Sequence, residues 1–319
     1  MANEEKRYAL VVVDGPARAR KVSCVLKRSG LPCEVLSGPD DLLPAMDRNE
    51  GRPAVFVSVP YLVNVLKICQ ERPTIDVFTI IAQPSATVFG SASKVSQMKG
   101  VVALQLDETP RSWELLQVGR RLADNAAAPA CASLSWGHTW VERTLSTSEE
   151  REDLLEDVRQ FCAEQQTKRQ AEASAQIADE LTMNAMYDAP VDDEGNTIWA
   201  HRRDERIELE PAMQPTFAYG SDGERIVLSV ADPFGRLPKR AVFGGIHRGL
   251  SSGDMDTRGG GAGIGMMLIH HSAKVLFFDV VPRERTQATA VIELDIPPAE
   301  FRKLAGSVHF FESPSAEAR

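Results

Sequence analysis

A chain of 319 residues, of which 43% are hydrophobic, is long enough to form two domains with separate cores. The formal net charge of −9 and the lack of a basic stripe with interleaved aromatic residues disfavour nucleic-acid binding. The first residues are polar and acidic, and no apolar run approaches the ~20 residues that cross a bilayer, so we expect neither a signal peptide nor a membrane segment. Five scattered cysteines are typical of reduced thiols and predict a cytoplasmic protein.

Residues 1–125 alternate between short apolar runs and amphipathic stretches. The runs predict strands over residues 8–13, 33–36, 54–59, 75–82 and 101–106. The stretches predict helices over residues 16–29, 39–48, 61–70, 85–97 and 111–124. Five successive strand–helix units predict a doubly wound parallel (βα)5 domain with helices on both faces of its sheet.

This N-terminal pattern resembles the receiver domain of response regulators, but the residues for phosphoryl transfer are missing. Only Asp14 follows the first strand, Ser58 stands where a phosphoacceptor aspartate is expected, and no lysine follows the fifth strand. Because Mg²⁺ would have too few oxygen ligands, we expect a pseudo-receiver. It would dock a regulatory protein partner, form a homodimer or serve as a structural appendage.

Small residues and one proline over residues 126–137 predict a linker. A second domain is expected over residues 138–305 and a tail over 306–319. Its predicted elements are a strand at 139–145, a helix at 149–165, a polar insertion at 190–206, and strands at 206–210, 216–219, 225–231, 275–281 and 288–294.

Two polar patterns within this second domain indicate a binding site. One helix carries an apolar stripe beside a polar stripe at the same i, i+4 spacing, the latter formed by Glu180, Asn184 and Asp188. Farther along, a strongly apolar strand ends at Asp232, where a carboxylate can point into a cleft. Taken singly, the stripe could be a solvated helix face, and Asp232 could only cap the turn at Pro233.

A glycine-rich segment completes the set. Five of the seven residues from Gly259 to Gly265 are glycine, and the apolar run at 266–269 follows at once. This order predicts a bare loop that opens a helix, where free N–H groups can hold a phosphate. A flexible turn is the other interpretation of such a segment.

The order Glu-x-x-x-Asn, strand-Asp, glycine-rich loop resembles the GHKL family of ATPases (gyrase, heat-shock chaperones, histidine kinases and MutL) over about residues 139–297. Within the family, the anti-sigma-factor serine kinases are the most similar. The resemblance implies an α/β sandwich that binds ATP and Mg²⁺, with Glu180 as general base, Asn184 as the Mg²⁺ ligand and Asp232 as acceptor for the adenine amino group. The implied contact set is Asn184, Asp188, Asp232, Gly235, Arg258, Gly261, Gly263, Ile264 and Gly265.

The chain departs from the family pattern in two places. Phe234 and Leu237 occupy positions where the family has glycines, and Tyr187 occupies one where sensor kinases often carry a lysine. Residues 236–258 would form the ATP lid, with few large apolar groups to hold them in one state. Two functions follow: γ-phosphoryl transfer to a serine or threonine of a partner protein, or a non-catalytic ATP-dependent switch or scaffold.

Overall fold

The computed structural model describes residues 6–72, 75–80, 101–105, 111–165, 168–192, 194–251, 262–301 and 306–313. Within these ranges the chain is a mixed α/β protein, and its eleven strands lie in one continuous sheet in the order β2-β1-β3-β4-β5-β11-β9-β10-β8-β7-β6. The predicted α/β class is therefore confirmed.

The first five strands form the all-parallel part of the sheet. Its elements are β1 (Arg7–Val12), α1 (Pro16–Arg28), β2 (Cys33–Val35), α2 (Leu42–Arg48), β3 (Arg52–Ser58), α3 (Val59–Glu71), β4 (Asp76–Ile80), β5 (Val101–Gln105) and α4 (Ser112–Asp124). The order 2-1-3-4-5 is that of a doubly wound sheet. The helix predicted over residues 85–97 lies outside the described residues.

Alternation along the central strand explains why both faces are covered. Ala9 and Val11 of β1 pack under α1 and α4, whereas Leu10 and Val12 pack under α2 and α3. A strand buried on both faces is apolar along its buried length, as β1 is from Tyr8 to Val12. At its end, the Asp14 amide donates to the Ser58 hydroxyl at 3.0 Å, and the Asp14 carboxylate pairs with Arg18.

The second part of the sheet is mixed. Its elements are β6 (Thr139–Thr144), α5 (Ser148–Gln165), α6 (Lys168–Met183), β7 (Thr216–Ser221), β8 (Arg225–Asp232), α7 (Lys239–Ser251), α8 (Ala262–Ala273), β9 (Val275–Val281), β10 (Arg285–Glu293), α9 (Pro298–Phe301) and β11 (Ser307–Glu312). Neighbours pair antiparallel from β9 to β6, while β11 runs parallel to β9. Buried side chains of α5 to α8 cover one face.

The C-terminal tail predicted over residues 306–319 is wrong for residues 307–312, which form β11. This strand pairs parallel with β9 and antiparallel with β5, and so joins the two parts of the sheet. Val308, Phe310 and Phe311 are buried, which explains why the strand is held. The strand predicted over 206–210 is likewise wrong, since that segment makes only an isolated bridge between Glu208 and Thr147.

Helix α4 fastens the parallel part to the mixed part. The Arg121 guanidinium donates to both carboxylate oxygens of Asp279 in β9, at 2.8 and 3.1 Å, and both side chains are 1% exposed. The same guanidinium lies 4.5 Å above the Phe277 ring. Two turns away, Glu114 contacts the His309 ring nitrogen of β11 at 2.6 Å. These buried contacts bind the two parts into one unit.

The segment predicted as a linker contains a short 3-10 helix, Ala130–Ser133, and packs on the face of the mixed sheet opposite α5 to α8. Side-chain amides of Gln117 and Gln287 donate to the carbonyls of Ala132 and Ala128. Across the described ranges, none of the helices combines the length and the apolarity that spanning a bilayer requires.

Candidate functional site

The polar stripe predicted on one helix lies on α6 and on the π-helical turn that extends it, Asn184–Asp188. Leu181 and Ala185 are buried in the core, whereas Glu180, Asn184 and Asp188 are only partly buried. The Ala189 amide donates to the Asn184 carbonyl, which is the i to i+5 bond of a π turn. Such turns are frequent at functional sites because they displace side chains from regular helical spacing.

A cavity of about 210 Å³ lies between α6, α7, α8 and the mixed sheet. It brings together three predicted site residues, Asn184 and Asp188 from the α6 side and Asp232 from β8. The remaining described lining is mostly apolar: Leu181, Ala185, Ala189, Val230, Arg236, Leu237, Pro238, Ala241, Met266, Phe278, Thr286 and Ala288. Few polar groups among apolar walls are typical of a small-molecule site.

Asp232 is the buried acceptor of this cavity. It ends β8 directly opposite Thr286 of β10, and its Oδ1 accepts the Phe234 amide at 2.9 Å. Burial raises the pKa of the Asp232 carboxyl, and hydrogen bonds from Phe234 and Thr286 limit that rise. The carboxyl therefore faces the cavity as a desolvated acceptor, which gains most from a ligand that donates a hydrogen bond.

The turn after Asp232 requires a glycine at position 235. Gly235 has φ +60°, and a Cβ there would lie 2.0 Å from the Val281 carbonyl oxygen. This glycine thus lets the chain pass beneath the β9–β10 turn, after which Arg236 and Leu237 reach the cavity. The described lining does not include Phe234, so its side chain does not fill the cavity.

Glu180 abuts the first turn of α8. A Cβ on Gly265 would lie 2.0 Å from Glu180 Oε2, so this glycine allows the helix to approach the carboxylate. Burial, followed by the charge of Asp179, raises the pKa of the Glu180 carboxyl, and Arg203 opposes this rise.

The prediction that the glycine-rich segment opens a helix is confirmed, since α8 begins at Ala262. Gly263 and Ile264 belong to its first turn. Gly261 and Arg258 lie outside the described residues.

Tyr187 turns away from the cavity. Its side chain is 2% exposed, and its hydroxyl donates to the Glu205 carbonyl at 2.9 Å and contacts the Ser148 hydroxyl at 3.1 Å. The next residue, Asp188, forms a two-point ion pair with Arg203. Two consecutive residues of the π turn thus hold the insertion over 190–206 against α6.

The segment expected to be a loosely held lid is in part a core helix. Val242, Phe243 and Ile246 of α7 are fully buried. The prediction of few large apolar groups over 236–258 is therefore wrong for residues 239–251, because apolar residues at helical spacing along α7 enter the core. Residues 252–258 lie outside the described residues.

A second cleft, of about 540 Å³, lies on the opposite face of the mixed sheet, between the strands and residues 127–131. Its floor includes Ser229 and Gln287, whose polar groups bond within the protein, Ser229 to Thr289 and Gln287 to the Ala128 carbonyl. Asp232 lines both spaces, but only the smaller cavity brings it together with Asn184 and Asp188, so the smaller cavity is the better candidate site.

Sequence reasoning missed several cavity residues. Thr286, Met266 and Phe278 come from three elements, and only the strand register places Thr286 opposite Asp232. In the ranges that the structure describes, no group of three or more His, Cys, Asp or Glu side chains is arranged to hold a metal ion. Asn184 alone would offer Mg²⁺ one oxygen, so the ion would need phosphate ligands as well.

Comparison of the chain with protein-family models and with curated proteins gave no match. The function is therefore inferred from the motifs and from the geometry of the cavity.

Proposed function

We propose that this protein is a cytoplasmic ATP-binding signalling protein of the GHKL type, similar to anti-sigma-factor serine kinases, with an N-terminal pseudo-receiver. The observation that carries the proposal is that Asn184 and Asp188 from one helical segment and Asp232 from a strand, in the order typical of that family, line one cavity. Glu180 and Gly265 do not line this cavity, but they lie against each other next to the lining residues Leu181 and Met266.

The cavity suits the base of the nucleotide. Its volume of about 210 Å³ is below the roughly 300–1,000 Å³ of sites that enclose whole ligands, which favours one flat ring system as occupant. Val230, Phe278 and Ala288 give it apolar walls, and Asp232 supplies an acceptor at its end. An adenine ring presents an apolar face and an amino group that donates a hydrogen bond.

The phosphates would extend toward the N-terminus of α8. The first turn of a helix has amides without intrahelical partners and the positive end of the helix dipole, and Gly263 and Ile264 belong to that turn. Asn184 lies between Glu180 and Asp188 on the facing helix, where its amide oxygen would help hold Mg²⁺ against the phosphates. Mg²⁺ would neutralise part of the phosphate charge during transfer.

Glu180 would accept a proton beside the phosphate chain. Burial raises the pKa of its carboxyl, which brings its basicity closer to what proton transfer near neutral pH requires. In the kinase form of the proposal, Glu180 takes the proton of a partner's serine or threonine hydroxyl while that oxygen attacks the γ-phosphorus. The bond to the β-phosphate oxygen breaks and ADP leaves.

A non-catalytic switch is the second candidate, and the continuous sheet favours it. The strand pairing of β5 with β11 and the buried Arg121–Asp279 pair connect the nucleotide side to the N-terminal part. A nucleotide that stabilises one conformation of the cavity would therefore change the populations of the conformations of the pseudo-receiver, and with them the surface that a partner can bind.

Glu180→Gln should leave ATP affinity within about threefold of wild type and abolish hydrolysis and phosphotransfer. The physical reason is that a general base acts on the nucleophile's proton and not on the bound nucleotide. Calorimetry with Mg²⁺–ATP measures the affinity, and release of radiolabelled phosphate or its transfer to co-purified partners measures turnover.

Glu164→Gln, at an exposed position of α5, is the matched control and should behave as wild type. Turnover by Glu180→Gln at the wild-type rate would remove Glu180 from the role of base. If wild type binds ATP but shows no turnover, the result would favour the non-catalytic switch over the kinase.

A further inference from the structure

The insertion over residues 190–206 is anchored beside the candidate nucleotide cavity at two points. Tyr187 donates its hydroxyl to the Glu205 carbonyl at 2.9 Å. Arg203 donates from Nε to Asp188 Oδ1 at 3.2 Å and from Nη2 to Oδ2. Asp188 lines the cavity, so this ion pair holds the guanidinium next to a lining residue, although Arg203 itself is not part of the described lining.

The positive charge of Arg203 acts along the polar stripe of α6. Burial raises the pKa of both Glu180 and Asp188, and the charge of Arg203 opposes that rise at each. These two carboxyls flank Asn184 on the helix. The charge of Arg203 therefore acts on the carboxyls on both sides of Asn184, the residue expected to hold Mg²⁺. Glu180, one of these two carboxyls, is also the side chain that lies against Gly265.

We propose that Arg203, supplied by the insertion, contacts the phosphate chain of a nucleotide bound in this cavity. The inference rests on the proposed function, and it names a contact from outside the recognised motifs. Tyr187 does not reach the phosphates itself, but it fixes the segment that carries the cation.

The hydrogen-bonding capacity of the guanidinium allows both contacts at once. A guanidinium carries five N–H groups, and the two-point pair with Asp188 uses two of them. The side chain can therefore stay on Asp188 while it donates to phosphate oxygens. Asp188 fixes the direction of the guanidinium, which lowers the entropy lost when the anion binds.

Neighbouring arginines are less well placed. Arg202 lies 4.4 Å from the Trp199 ring and pairs with Glu205. Arg236 lines the cavity four positions after Asp232, which is expected to meet the base, and its Nη2 already donates to the Gly195 carbonyl.

The carboxylates near the cavity would repel a polyphosphate unless a cation offset their charge. Asp188 and Asp232 line the cavity, and Glu180 precedes the lining residue Leu181, so a polyphosphate added there would meet repulsion from these carboxylates. Arg151 pairs with Asp179, which is not part of the stripe. The Arg203 side chain is one third exposed, so an anion that extends from the cavity past Asp188 would be able to reach it.

Ligands with and without phosphates, compared on the full chain, test the contact. Calorimetry with Mg²⁺ would use ATP, ADP and adenosine on wild type, Arg203→Gln, Arg203→Lys and the control Arg202→Gln. Arg203→Gln should weaken ATP and ADP by about tenfold or more, the scale of a charge-assisted hydrogen bond, and change adenosine less than about twofold. Arg203→Lys should regain part of the loss, and Arg202→Gln should match wild type.

Tyr187→Phe is the second variant, because it keeps Arg203 and removes one anchor of the insertion. It should also weaken ATP binding, by a smaller factor than Arg203→Gln does, and leave adenosine binding unchanged. Equal loss for adenosine and ATP in Arg203→Gln, or no loss for ATP, would overturn the inference while the proposed function stands. Wild type that binds neither ATP nor adenosine would overturn both.

Discussion

Asp279→Asn is expected to lower the free energy of unfolding by about 3–5 kcal/mol, the cost of breaking a buried ion pair by removing one partner. The variant leaves the Arg121 guanidinium 1% exposed and without a compensating charge. Since this pair joins α4 to β9, the loss would come from the contact between the parallel and mixed parts of the sheet. Urea denaturation followed by circular dichroism measures the change.

Two further variants make this result specific. Arg143→Ala removes one partner of the exposed pair with Asp157 and should cost less than about 1 kcal/mol. The double variant Arg121→Met/Asp279→Leu replaces both charges by apolar side chains and should recover most of the stability lost in Asp279→Asn. A loss below about 1 kcal/mol in Asp279→Asn would contradict the buried junction.

Gly235→Ala should lower the free energy of unfolding by about 2–5 kcal/mol. This range combines about 1–2 kcal/mol for a left-handed backbone at a non-glycine residue with about 1–3 kcal/mol for overpacking. The overpacking arises because the new Cβ would lie 2.0 Å from the Val281 oxygen and 2.7 Å from the Arg283 nitrogen, both backbone atoms. Thermal and urea denaturation of the nucleotide-free protein measure the loss.

Gly223→Ala is the matched control for the backbone effect. Gly223 has φ +85°, but a Cβ there would meet no heavy atom within 4 Å beyond its two chain neighbours. Gly223→Ala should therefore lower the free energy of unfolding only by the cost of the left-handed backbone, about 1–2 kcal/mol. Equal losses in the two variants would show that the β9–β10 turn does not constrain the chain after Asp232.

The parallel part of the fold could be predicted largely from apolar periodicity. Strands buried on both faces are continuous apolar runs, so β1 and β3 were recognisable in the sequence. β11 was not, because a six-residue strand after a polar stretch has no local signal for its partners. Its place between β5 and β9 depends on burial of Val308 and Phe310, a tertiary effect.

The candidate site was predictable where helical spacing alone fixes geometry. The i, i+4 spacing of Glu180, Asn184 and Asp188 predicts one helix face, and the structure brings Asn184 and Asp188 into one cavity lining. Thr286 and Arg203 were not predictable, because strand register and the path of the insertion bring them to the site. The role of Tyr187 likewise depends on a hydrogen bond to a residue eighteen positions away.

Calorimetric titration with Mg²⁺–ATP, for wild type and for Asp232→Asn, tests the central claim most directly. Asp232 would accept a hydrogen bond from the adenine amino group, and losing an acceptor of that kind should weaken ATP by about 1.5–3 kcal/mol, or roughly 10- to 150-fold. Asp153→Asn, at an exposed position of α5, should leave the affinity unchanged. Full ATP affinity in Asp232→Asn, or no ATP binding by wild type, would contradict the assignment of this cavity to adenine.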